Sequence, residues 1–488
     1  MSRQSAVSSG GDEDTRRILI VAIGVELALF VALAIATRTS GSVRPVVALY
    51  LAAAVPWIFV LRAGRTVEAR VATRLALGAG LVARAVLLFG APVLSDDLYR
   101  FAWDGRVLAD GINPFRFAPD AVELRALRDG LWQQINHPEI STIYPPGAQI
   151  VFGAVAVLGG GVWAIRLVVV LLDLIAVALV SRAGVARGTP EAGLAYALCP
   201  LAAVESALSA HFDGVCAALV LAAVVSLDRA RFRAGLLVGA AVAAKALALL
   251  SLPLLLMTRP RRRALAGVIA LAFALALAAP FAGAGWKVFS GLSEFALRWS
   301  GNASGFAVLE RAARAGLERV EFRPGAVRSR TLGRLSAALE GTPLDPRGPL
   351  RREKKSDERD VFETGYLASF CARCAATALV LALAIGLALR ADPLRAVLGA
   401  FAAALLLGPM VHPWYVLWLV PFACLLRSPP WLLWSTLAPL ALLPLDGFRS
   451  TGEWLEPAWI RPIEYAPVYG ALAFGTFTAW RRRATLSP

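Results

Sequence analysis

The run VIALAFALALAAPFAGAG, residues 268–285, holds eighteen residues and no charge. At about 1.5 Å per residue, a helix of that length approaches the ~30 Å hydrocarbon core of a bilayer. A second run, ILIVAIGVELALFVALAIA at 18–36, is interrupted only by Glu26. Across all 488 residues, 58% are hydrophobic and mean hydropathy is +0.64. Soluble domains hold only about 45–50% apolar residues. The fold class is therefore an all-α polytopic membrane protein.

Net charge is +16. In a soluble chain this would suggest nucleic acid, but no basic tract here is interleaved with base-stacking aromatics, so nucleic-acid binding is rejected. Arginines cluster between apolar runs instead, and such clusters mark the cytoplasmic side. They lie at Arg16/Arg17, Arg62 to Arg74, Arg182/Arg187, Arg229 to Arg233, Arg259 to Arg263, Arg390/Arg395, Arg427 and Arg481 to Arg483. This puts outside a first loop at 95–145, turns near His211 and His412, a long loop at 282–365 and the stretch 446–462. The first span ends in ATRTSGS, which has no cleavage-site character, and reads as an uncleaved anchor. Five cysteines imply no disulfide framework, and the lone pair Cys371/Cys374 is read as packing.

Two stretches strain a simple zigzag of spans. Residues 146–180 are broken at Gly159 to Gly161, and 234–257 has basic clusters at both ends yet is too short to cross twice. Short or re-entrant helices solve both, and broken backbone is tolerated where it is buried in protein or lines a cavity. The expectation is a single domain over 1–488 with about 11–14 transmembrane or re-entrant helices. Residues 321–360 are charged and rich in Pro and Gly, and read as a mobile loop or small extramembrane insert without chemistry.

The first outer loop begins SDDLYRFAWDGRVLADGINPFRFAPD, residues 95–120. From 97 to 109 the pattern is helical: Leu98, Phe101, Ala102 and Leu108 share one side, and Asp97, Arg100 and Asp104 the other. Ser95 is the expected N-cap and Trp103 the interfacial anchor. Capping explains one carboxylate at the helix start; it does not require both Asp96 and Asp97.

Other ionisable groups fall on the same outer side. His137, His211 and His412 do so, with Glu205 and Asp213 flanking His211. The chain has only four lysines, and Lys245 alone lies inside an apolar stretch. Such a group is a functional candidate by default, with a snorkelling lysine as the bland reading. The loop stretch FALRWSGNASGF adds Arg298 and Asn302, and the helix start HPWY adds Trp414 and Tyr415.

Together SDDLYRFAWDGRVLADGINPF, INHPEISTIYPPGAQ, ESALSAHFDG, the lysine of AAKALALL and HPWY resemble the GT-C superfamily of integral membrane glycosyltransferases. The likeness is strongest to bacterial polyprenol-phosphate-mannose-dependent mannosyltransferases and runs from about 80 to 425. It implies a GT-C fold with interfacial helices in the first outer loop, which carries the catalytic acid. It also implies a polyprenyl phosphate sugar donor, used on the extracytoplasmic side, and inversion at the anomeric carbon. The expected partner is an unidentified lipid or glycan acceptor, and the expected location a bacterial plasma membrane with the active site facing the periplasm or exterior. Two spans precede the one leading into the acidic loop, where many relatives have none, and Cys199 stands where the family pattern has Asn.

Inverting transfer needs a base for the acceptor hydroxyl and cations for the departing phosphate. The resemblance assigns Asp96, then Asp97, as catalytic carboxylates. Arg100, Arg106, Lys245 and Arg298 are the expected donor-phosphate ligands. Asp104, His137, Tyr144, His211, Asp213, Asn302, His412, Trp414 and Tyr415 are the expected sugar or acceptor contacts. No cofactor is firmly implied, and a divalent metal is left open. The rival reading is a transporter or flippase of a lipid-linked sugar, which would be expected to show two related halves; the sequence shows none.

Overall fold

The computed structural model describes residues 3–257, 263–342, 345 and 360–484. The expected basic cluster at Arg259 to Arg263 lies outside the described residues except for Arg263, as does most of the charged insert. Seven described helices are long and apolar enough to cross a bilayer, and four shorter apolar helices accompany them. The chain is an integral, all-α membrane protein.

It divides into two compact units. The first comprises Met1–Leu98, Val162–Ala230 and His412–Pro488. Five of the long spans belong to it: Glu13–Thr39, Arg44–Thr66, Ala69–Leu88, Val162–Arg187 and Pro429–Thr451. Their apolar faces close on a core with Phe30, Tyr50, Trp57, Trp418 and Trp434 almost wholly buried. Pro200 starts helix Pro200–Ala207, where a missing N–H costs nothing. The turn that follows holds Ala210 at φ 59°, a strained backbone for a residue with a Cβ. That turn leads into helix Asp213–Ser226.

Arg84 and Asp173 are both buried in spans of this unit, their side chains 2.7 Å apart. Tyr196 and Ser206 donate hydroxyl hydrogen bonds to Asp173 at 2.6 and 3.1 Å, and Arg84 also donates to the Ala197 carbonyl. These hydrogen bonds offset part of the cost of burying the pair.

The second unit comprises Tyr99–Gly161 and Arg231–Val411 and holds the spans Ala264–Arg298 and Thr364–Arg390. Helix Pro146–Val157 starts on Pro146 and stops before Gly159, which sits at φ 75°. That break is the one expected from the triple glycine, since a left-handed residue ends a helix. The other expected break falls at Lys245, extended at φ −147° between helix Arg231–Ala244 and the short 3₁₀ helix Ala246–Ser251. The described part of the insert is folded, not a bare loop. Strands Ala326–Arg328 and Val361–Glu363 pair antiparallel beside helix Arg330–Ala338, over a small core of Val327, Phe362 and Leu367.

Candidate active site

Helix Asp97–Ala109 forms over the expected residues. The Ser95 hydroxyl accepts from the Asp97 amide at 3.3 Å. One expectation is corrected: Trp103 is no exposed interfacial anchor. It is 1% exposed and packs with Val107, Leu124 and Ile135 in the loop's own core.

Within the first unit, three acid–base groups form a chain. The carboxylate of Glu205, wholly buried, lies 2.9 Å from Nδ1 of His211. On the other side of the ring, Nε2 of His211 lies 3.5 Å from Oδ2 of Asp97. Tyr50 donates its hydroxyl to Glu205 at 3.4 Å, behind the chain. The strained turn at Ala210 makes this arrangement, because it brings the His211 amide back to the Glu205 carbonyl at 2.9 Å. His211 lies in a turn outside the spans. Burial alone would lower its pKa, but the facing Asp97 and Glu205 carboxylates more than offset this and hold it above the usual histidine range.

The 412–415 segment covers the same histidine. The Trp414 indole stacks on His211 with ring centres 3.9 Å apart, and on His412 at 4.2 Å. Tyr415 meets both His412 and Trp414 edge-on. Asp213 is buried, and its Oδ1 accepts from the Trp418 indole at 2.9 Å. The structure therefore gathers Asp97, His211, His412, Trp414 and Tyr415, with Asp213 held beside Trp418. Asp96 is the residue immediately before the helix that begins at Asp97.

In the second unit, Arg100 and Asp104 face each other one turn apart on helix Asp97–Ala109, Nε to Oδ1 at 2.8 Å. Gln149 donates to Oδ2 of the same carboxylate at 3.1 Å and to Thr142 at 2.8 Å. Both oxygens of Asp104, an expected sugar contact, are thus engaged inside the protein, and the residue is 2% exposed. Nη2 of Arg100 is buried without a hydrogen-bond partner. Tyr144 packs edge-on against Phe101 at 4.7 Å, and the Lys245 ammonium lies 5.6 Å over its ring. Helix Pro146–Val157 can lie this close because Gly105 and Gly147 have no Cβ. A methyl at Gly105 would strike the Phe152 carbonyl, and one at Gly147 would stand 2.8 Å from the Ala243 carbonyl.

The remaining expected residues are held elsewhere in this unit. Arg106 pairs with Asp129 at 2.7 Å, and its hydrogen bond holds that carboxyl below the usual range. Arg298 faces Glu294 at 3.7 Å. His137 is exposed at φ 49° and meets the Trp299 ring edge-on at 4.9 Å. Asn302, at φ 48°, donates to the Val411 carbonyl at 3.3 Å. Among the described residues, no group of three or more His, Cys, Asp or Glu side chains converges as a metal site.

The sequence reading missed Gln149 and Arg166, and the Arg84–Asp173 pair. For the charged three a signal existed, since each is ionisable within an apolar run. Gln149 had only its place one turn after Pro146.

The comparison with known proteins covers the segment that holds the acid–histidine chain. Residues 26–261 match the alpha-(1->6)-mannopyranosyltransferase N-terminal domain of the MptA_B family. The match covers a little under half of the chain and includes the acidic loop, Glu205, His211, Asp213 and Lys245. It bears out the resemblance to mannosyltransferases of the GT-C superfamily and supports glycosyl transfer as the activity. No curated protein and no solved structure matches the chain.

Proposed function

We propose that this protein is an inverting mannosyltransferase that takes mannose from a polyprenyl phosphate donor and passes it to a lipid or glycan acceptor on the extracytoplasmic side of a bacterial plasma membrane. The observation that carries the reading is the mannosyltransferase-domain match across the segment holding the Asp96–Asp97 pair and His211. In this reading Asp96 is the general base. It takes the proton of the acceptor hydroxyl as that oxygen attacks the anomeric carbon, and the bond to the phosphate oxygen breaks with its electron pair leaving on the phosphate. Asp97 faces His211, which Glu205 backs, and keeps the helix start in place beside it.

Among the four expected phosphate ligands, Arg100 is favoured, because its buried Nη2 has a hydrogen to give. A guanidinium N–H already ordered in a water-poor setting stabilises developing phosphate charge at little reorganisation cost. Arg106 is committed to Asp129. The histidine and tryptophan rings at 412 and 414 offer flat surfaces for a sugar or isoprenoid.

The test is reconstitution of the full chain in liposomes with labelled polyprenyl phosphate mannose and, separately, the glucose and arabinose analogues. Mannose transfer giving a product of opposite anomeric configuration to the donor supports the reading. Transfer from another sugar corrects the donor. Movement of the intact lipid-linked sugar across the bilayer, with no product, overturns it in favour of a flippase.

A further inference from the structure

Arg166 lies near the start of span Val162–Arg187 and is 4% exposed. A guanidinium in an apolar span persists when its N–H groups are met, and here they are met by the ends of two helices. Nε and Nη2 donate to the Ala207 carbonyl at 3.0 and 2.9 Å. Nη1 donates to the Gly90 carbonyl at 3.0 Å, and Nη2 also to Leu87 at 3.2 Å. Ala207 closes helix Pro200–Ala207, and Leu87 and Gly90 lie at the end of helix Ala69–Leu88. The last carbonyls of a helix lack intrahelical donors and carry partial negative charge, so a planar cation with a fork of donors suits both ends at once.

The two ends are the roots of the two loops that meet in the acid–histidine chain. From Gly90 the chain runs on to Asp97, and from Ala207 to His211, and those two side chains stand 3.5 Å apart. The roots are also pressed together: a Cβ at Gly90 would stand 2.6 Å from the Leu208 side chain. A third tie reaches the first of these loops, where the Ala91 amide donates to the Thr37 hydroxyl at 2.9 Å.

We propose that Arg166 is a positioning residue for the transfer reaction: by holding the two loop roots on one guanidinium, it keeps Asp97 in register with His211. This rests on the functional reading above. It touches no substrate and acts only through the two loops. A misplacement of about 1 Å at a reacting group can cost about 100-fold in rate, so the loss belongs in kcat, not in donor KM.

The experiment uses the full chain and compares Arg166→Met and Arg166→Lys, each in the wild-type and His211→Gln backgrounds. Arg166→Met is expected to lower kcat by about 10–100-fold with donor KM little changed. Most of that loss should vanish once His211 is already gone, and Arg166→Lys should recover part of it. Equal losses in both backgrounds, within the about twofold additivity of independent sites, would overturn the proposal.

A second arm needs no activity. Asp97→Cys and His211→Cys, with the exposed Cys371 and Cys374 changed to serine, are treated with dibromobimane, which fluoresces on bridging two thiols. Bridging should be efficient with Arg166 and drop sharply with Arg166→Met; undiminished bridging contradicts the proposal. If bridging drops but the wild type transfers no sugar from any polyprenyl phosphate donor, the functional reading fails and the positioning role stands.

Discussion

Replacing Glu205 by glutamine tests the chain at its most buried member. Glu205 has no exposure, its Oε2 lies 2.9 Å from Nδ1 of His211, and Tyr50 occupies its other oxygen. Glutamine keeps the shape and can still accept from Nδ1, so a neutral hydrogen bond of about 1 kcal/mol survives. What goes is the charge assistance, since bonds to charged groups contribute about 1.5–3 kcal/mol. The expected net destabilisation is about 1–2 kcal/mol, and its pH dependence is the sharper test. His211 is held above the usual histidine range by the two carboxylates against the opposing effect of burial. A raised folded pKa means that the pairing contributes fully below the unfolded value of about 6.5 and is lost as pH rises through the folded value. The gap between wild type and Glu205→Gln should therefore be widest in mildly acidic buffer and narrow as pH rises. The assay is denaturant or thermal unfolding of both proteins in the same detergent at a series of pH values. A gap independent of pH, or one that widens with rising pH, refutes the assignment of a protonated His211 between two carboxylates.

Three further outcomes follow from the geometry. Gly105→Ala drives a methyl into the Phe152 carbonyl, which is backbone and cannot swing aside; a loss of about 1–3 kcal/mol is expected in the same unfolding assay, and none if the two helices do not touch. Asp173→Asn leaves the Arg84 cation buried beside a neutral group, and breaking a buried pair typically costs about 3–5 kcal/mol, so the yield of folded protein should fall steeply. Trp414→Leu removes the ring on which both His211 and His412 stack, and a loss of about 0.5–1.5 kcal/mol per aromatic contact is expected by unfolding, beyond that of the area lost.

Much of the architecture is legible in local sequence. Long apolar runs give the spans, the triple glycine at 159–161 gives one break, and the acid, arginine and apolar spacing gives helix Asp97–Ala109 to the residue. Those signals act over one or two helical turns, so they survive without knowledge of neighbours. The burial of Trp103 was not legible, because an amphipathic pattern says which side is apolar but not what covers it. Nor were the long-range partners. Arg84 and Asp173 are 89 residues apart, and the tie between Trp434 and Glu464 likewise crosses chain segments that only packing brings together. At the candidate site, the sequence marked His211 and Asp97 as outward-facing groups. Their meeting depends on a left-handed alanine at 210 and on a buried arginine at 166, neither of which advertises itself as chemistry.

The central claim is that the acidic pair at the mouth of the third span serves sugar transfer. The direct measurement takes membranes from cells producing the wild type or Asp96→Asn at matched levels, adds labelled polyprenyl phosphate mannose with a native acceptor extract, and follows the label. The account predicts label in a new product with the wild type and none above background with Asp96→Asn. Equal transfer by the two proteins would contradict it.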